Sequence, residues 1–171
     1  MPRAGSISTS GPVERVYVET GLPYSSAVEA FEAAVGRFDR EITADLVRRQ
    51  SPWSEVESAM ATMAGPSDLM VFESFDQGAV AGLTGPAVRC RLYLVGNPAI
   101  AAQIVRIDPR ASLYVPFRVA IHQPDQLADA TISFDRPSSS LRLLGRRELD
   151  PIGQMLDQKI ESAVQALLRA T

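Results

Sequence analysis

The chain has one cysteine, one histidine and one lysine in 171 residues, and each scarcity removes a class of chemistry. A lone thiol cannot close an intramolecular disulfide, so a reducing compartment such as the cytoplasm is the expected setting. One imidazole at His122 and one thiol at Cys90 do not make the ligand cluster a zinc site needs, so neither metal nor other cofactor is expected. The glycines at 78, 82 and 85 form no phosphate loop, because no Gly-Lys-Ser/Thr follows them, and no G-x-S-x-G elbow offers a nucleophile. No run approaches the roughly 18 apolar residues of a membrane helix. Residues 1–12 are polar and read as a loose arm rather than a secretory signal. With a net charge of −3, nothing pulls the chain as a whole toward nucleic acid or an anionic membrane.

What is present is enough for one substantial core: 46% of the residues are hydrophobic and 22% charged, which suits a single domain over residues 13–171. The firmest local punctuation lies in residues 89–122. Residues 89–95 alternate, with Cys90, Leu92 and Leu94 on one side and Arg89, Arg91, Tyr93 and Val95 on the other. Gly96 permits a tight exit, Asn97 suits an N-cap and Pro98 the first helical position. Ile100, Ile104 and Ile107 then recur at helical spacing until Asp108-Pro109 disfavours continuation. From Leu113 the period returns to two, with Leu113, Val115, Phe117, Val119 and Ile121 opposed to Tyr114, Pro116, Arg118 and His122. Pro116 lacks a ladder donor and argues for an edge or a bulge.

Around this centre, residues 13–20 alternate as a first strand. Ser26 with Glu29 has the form of a capping box, ahead of a helical face of Val28, Phe31, Val35 and Phe38. A short helix is expected in 41–50. Ser51-Pro52 opens another, with Trp53, Val56, Met60 and Met63 on a stripe that is core rather than a cofactor box. Residues 69–75 read as a strand apolar on both sides. Residues 77–86 are turn-like, 123–129 a hairpin loop, 130–134 a strand and 136–147 an irregular connection. Asp150-Pro151 caps a closing helix whose stripe is Ile152, Leu156, Ile160, Ala163 and Leu167.

Three stretches together resemble the DUF302 domain family, which has no assigned general function: GNPAIAAQ (96–103), SLYVPFRVAIH (112–122) and FDRP (134–137). With FDQGAV (75–80) and the C-terminal helix, the resemblance covers roughly residues 66–170. It implies a β-α-β(n)-α arrangement like that of the TATA-binding protein, often dimeric, with Gly96, Asn97, Pro98 and Pro116 as its structural motif. Some relatives have Cys where this chain has Gly96 and Phe117, and others His where it has Gln77, so thiol or imidazole chemistry at those places is not inherited.

The expected fold is therefore α+β, an antiparallel sheet of about five to six strands with helices packed on one face. If Cys90, Leu92 and Leu94 join Phe117, Val119, Ile132 and Phe134 under the helices, the opposite face carries Arg91, Tyr93, Arg118, His122, Ser133 and Asp135. Guanidinium groups beside a phenol, an imidazole and hydroxyls can hold a carboxylate or phosphate. The same residues would also make a plain solvated face or a homodimer interface, since alternation guarantees a polar side to any half-buried sheet. The expectation is a non-enzymatic binding domain for a small anionic molecule or a protein partner. The alternative is a small enzyme in which Asp135 orients His122 as acid or base.

Overall fold

Alternating residues become strands at Arg15–Glu19 (β1), Gly36–Arg37 (β2), Met70–Asp76 (β3), Arg89–Gly96 (β4), Phe117–Gln123 (β5) and Thr131–Asp135 (β6). The computed structural model describes residues 8–125 and 128–169, so residues 1–7 of the expected arm and residues 126 and 127 of the expected hairpin loop lie outside it. The strands form one sheet in the order β1-β6-β5-β4-β3-β2. All neighbours are antiparallel except β2, which runs parallel to β3 through Gly36 beside Met70 and Arg37 beside Val71. The sheet is thus mixed, because a helical crossover returns the chain to β3 in the direction of β2.

That crossover and the rest of the helical layer comprise Tyr24–Ala34 (α1), Arg40–Arg48 (α2), Trp53–Met63 (α3), Gln77–Ala81 (α4), Pro98–Ile107 (α5), Pro137–Arg142 (α6) and Asp150–Leu168 (α7). Ala27, Phe31 and Ala34 of α1, with Leu156, Ile160, Ala163 and Leu167 of α7, bury against Val119, Ile121, Ile132 and Phe134. Each of the larger side chains among them, Val, Leu, Ile or Phe, contributes about 1.5–3 kcal/mol when fully removed from water. Met70 points oppositely to Val71 and joins Leu46 of α2 and Met60 of α3 in a second, smaller cluster, so two helices also close over one corner of the other face. Gly36 and Gly65 stand back to back where α3 ends: a Cβ on Gly36 would lie 1.9 Å from the Met63 carbonyl oxygen, and one on Gly65 would lie 2.4 Å from the Gly36 nitrogen.

The turn into α5 forms as its residues dictate. Asn97 accepts from the Ala99 amide at 2.9 Å, with Pro98 at the first helical position. Its side-chain nitrogen donates to the Asp68 carbonyl at 3.2 Å and to Asp68 Oδ1 at 3.1 Å, while Lys159 of α7 donates to Asp68 Oδ2 at 2.6 Å. Asn97 therefore ties the turn to the approach to β3, and Asp68 carries that tie on to α7.

Several local expectations are corrected. Residues 109–113 form a 3-10 turn, Leu113 is 79% exposed, and β5 begins only at Phe117. Pro116 precedes that strand, after a cis peptide bond from Val115, and β5 is interior to the sheet rather than an edge. Helix α1 starts after Pro23 with no side-chain cap, so Ser26 and Glu29 make no capping box. Asp150 is the first residue of α7 rather than its capping hydrogen-bond acceptor. The stretch 136–147 contains α6, anchored where the Ser138 amide and hydroxyl donate to the buried Asp157 carboxylate at 3.0 and 2.6 Å.

Candidate functional site

Cross-strand partners share a face, and β5 decides which face is which. Phe117, Val119 and Ile121 lie beneath the helices, and their partners on β4 are Val95, Tyr93 and Arg91. Arg91 and Tyr93 therefore sit on the helix-covered side, whereas Cys90, Leu92 and Leu94 face away from it. This reverses the expected parity of β4. The physical reason is Tyr93, which is completely buried, with its ring 5.1 Å from that of Phe31 at 56°. Its hydroxyl donates to Glu32 Oε1 at 2.9 Å. Burial and then this hydrogen bond push the phenol above its ordinary pKa. Arg91 donates to Glu32 at 3.4 Å and to Asp76 at 3.3 Å. The Ala79 amide, followed by Arg91, holds the Asp76 carboxyl below its ordinary value.

The open side is ordered in rows across the strands. One row runs Tyr17, Ser133, Ala120, Leu92, Phe75 and another Glu19, Thr131, His122, Cys90. On the far side of the first, Arg118 lies beside Leu94, and Asp135 beside Arg15. Leu92, Leu94, Cys90 and Ala120 are half-buried, and Phe75 and Tyr17 are 47% and 63% exposed. Of the residues expected to make the site, this face brings together Arg118, His122, Ser133 and Asp135, without Arg91 and Tyr93. Asp135 accepts from Arg15 at 2.7 and 3.2 Å. His122 and Asp135 fall on opposite sides of the row through Ser133, on the order of 13 Å apart along the strand direction. The acid-base pair of the alternative reading is thus not assembled. Among the described residues Arg118 and Glu19 have no ion-pair partner.

A second surface was not foreseen. Strand β2 stops at Arg37, so among the described residues the edge of β3 from Phe72 onward has no strand beside it, and the Ser74 amide donates to the neighbouring Glu73 carboxylate at 3.3 Å. A cleft of about 410 Å³ lies at this edge, reached by Glu32 of α1, Arg37 of β2, Arg40 of α2, Ser74 of β3 and Tyr93 of β4. Phe38 and Phe72 stack along it with centroids 4.5 Å apart. A two-residue strand leaves no periodicity to read, and the expected helical face ran on through Val35 and Phe38, whereas α1 ends at Ala34 and β2 follows at Gly36–Arg37.

No described helix is long and apolar enough to cross a membrane, and the described residues contain no group of three or more His, Cys, Asp or Glu that could hold a metal. The class is an α+β domain with a largely open sheet face. The family model named "Domain of unknown function DUF302" matches residues 47–167, and the chain belongs to that family. Its fold is similar to that of an uncharacterized conserved DUF302 protein from Bacillus stearothermophilus, known from a crystal structure. The TM-score is 0.62 at 10% identity, covering 89% of this chain and 96% of that one. No curated protein matches.

Proposed function

We propose that this chain is a non-enzymatic interaction domain whose open sheet face binds a second copy of itself. The observation that carries the reading is the row Tyr17, Ala120, Leu92 and Phe75, part-exposed and bordered by Arg15, Arg118, His122 and Glu19. An apolar centre with a polar rim is the usual anatomy of an interface. Among the described residues the patch also carries a cation, Arg118, and a carboxylate, Glu19, without an ion-pair partner. A two-fold contact sets one patch against its own copy, so a patch bearing both signs can satisfy itself. With Arg91 and Tyr93 on the other face, the donors that suggested an anion on this surface reduce to Arg118, His122 and the neighbouring hydroxyls, which makes self-association the better use of it. A half-exposed Cys90 suits a reducing compartment such as the cytoplasm.

Sedimentation equilibrium tests the reading. The wild type is expected near twice 18.5 kDa, and Leu92→Asp and the more exposed Phe75→Glu near the single-chain mass with unchanged far-UV circular dichroism. Ser162→Asp, exposed on α7 in the helix layer of the opposite face, is expected to stay dimeric. A monomeric wild type, or folded Leu92→Asp and Phe75→Glu proteins that remain dimers, would overturn it.

A further inference from the structure

The geometry points to the cleft at the free edge of β3 as a binding site for a small aromatic anion, with the Arg37 guanidinium as its anchor. The cleft's volume, about 410 Å³, falls in the range that holds small organic ligands. Its groups divide into those already engaged and those free. Glu32 accepts from Tyr93 and Arg91 at Oε1, and Glu73 accepts from Arg40 at Oε2 at 3.3 Å in an exposed pair. Arg37 and the Ser74 hydroxyl have no side-chain partner among the described residues. The cation of the cleft left without a partner is therefore Arg37, and its complement is an anion.

A guanidinium offers two parallel N–H groups at the spacing of a carboxylate or a phosphate. The Phe38–Phe72 stack gives the same cleft an apolar wall on which a ring can lie. Beyond Val71 no described strand covers β3, so the cleft is open at a strand edge. Arg40 adds a second guanidinium, held to Glu73 only on the surface, where an exposed ion pair stabilises little and yields readily to a competing anion. The site is independent of the open face, since none of its lining residues belongs to the rows built on Leu92 and Ala120.

Benzoate, phenyl phosphate and inorganic phosphate serve as probes, followed by isothermal titration calorimetry and by amide chemical shifts at Arg37, Phe38 and Ser74. Saturable binding of benzoate or phenyl phosphate is expected to weaken about tenfold or more in Arg37→Gln, the loss of one charge-assisted pair. Arg118→Gln on the open face is expected to bind as the wild type does. Benzoate alone would identify a carboxylate ligand and phenyl phosphate alone a phosphate ester, both dependent on Arg37. The proposal is overturned if neither aromatic anion binds, if inorganic phosphate binds as tightly as phenyl phosphate, or if folded Arg37→Gln protein binds undiminished.

Discussion

The hydroxyl of Tyr93 donates to Oε1 of Glu32 at 2.9 Å, joining β4 to α1 across 61 residues of sequence. The phenol is completely buried, while its acceptor lies at the rim of the β3-edge cleft. Tyr93→Phe keeps the ring against Phe31 and removes only the donor, so a loss of about 1 kcal/mol is expected in urea denaturation. The sign of the pH effect follows from the raised phenol. Folded Tyr93 holds its proton above the ordinary tyrosine value of about 10, so its contribution is complete below that pH and disappears as pH rises beyond it. Wild-type stability is expected to fall more steeply on the alkaline side than that of Tyr93→Phe.

Acid reads a different group. Asp108 accepts from the Arg110 guanidinium at 2.6 Å and from the Arg110 amide at 3.0 Å, and Arg110 holds its carboxyl down to about 2. A depressed carboxyl stabilises the fold above its unfolded value near 3.9 and loses that contribution as pH falls toward its folded value. The difference in melting temperature between wild type and Asp108→Asn is expected to shrink between about pH 4 and pH 2. A gap that stays constant over that window would show that Asp108 titrates as it does in the unfolded chain.

Asp157 accepts both the amide and the hydroxyl of Ser138 in a buried setting. Asp157→Ala leaves two buried donors without an acceptor, and a loss of about 3 kcal/mol is expected by chemical denaturation. Ser138→Ala removes only one of the two bonds and should cost roughly 1 kcal/mol. Equal losses for the two substitutions would contradict this account of how α6 is anchored.

Gly36 tests the placement of β2. A methyl group there meets the Met63 carbonyl and the Gly65 amide at distances no real contact allows, so Gly36→Ala must push α3 away from the sheet. A loss of about 3 kcal/mol is expected, with amide exchange accelerated at Gly36 and Phe38, whose N–H groups donate to Leu69 and Val71. Gly82→Ala, where a Cβ meets nothing within 4 Å, is expected to have little effect.

The helices were legible wherever spacing and punctuation agreed. Asn97-Pro98 opened α5 and Asp108-Pro109 closed it at the expected residues, and the stripe Leu156, Ile160, Ala163, Leu167 lies buried as its period required. The faces of β5 and β6 were also readable, because each alternates apolar with polar residues. Strand β4 was not. Its apolar Leu92 and Leu94 lie on the open side, while Tyr93 and Arg91 bury their polar tips against Glu32 and Asp76, so local alternation pointed the wrong way. Only registration against β5 reveals it, and registration is a property of two strands. For the same reason the expected ligand constellation divided between two faces, and the cleft beside Arg37 is built on a strand of two residues that the helical spacing of Val28, Phe31, Val35 and Phe38 ran through.

Lys159, whose ammonium sits 2.6 Å from Asp68 Oδ2, is the chain's only lysine. Amine-directed chemistry thus addresses a single side chain, and that side chain bridges the closing helix to the residue that also anchors Asn97. Reductive methylation keeps the positive charge and acetylation erases it. The two reagents, applied to unmutated protein, therefore separate the electrostatic from the steric share of that joint.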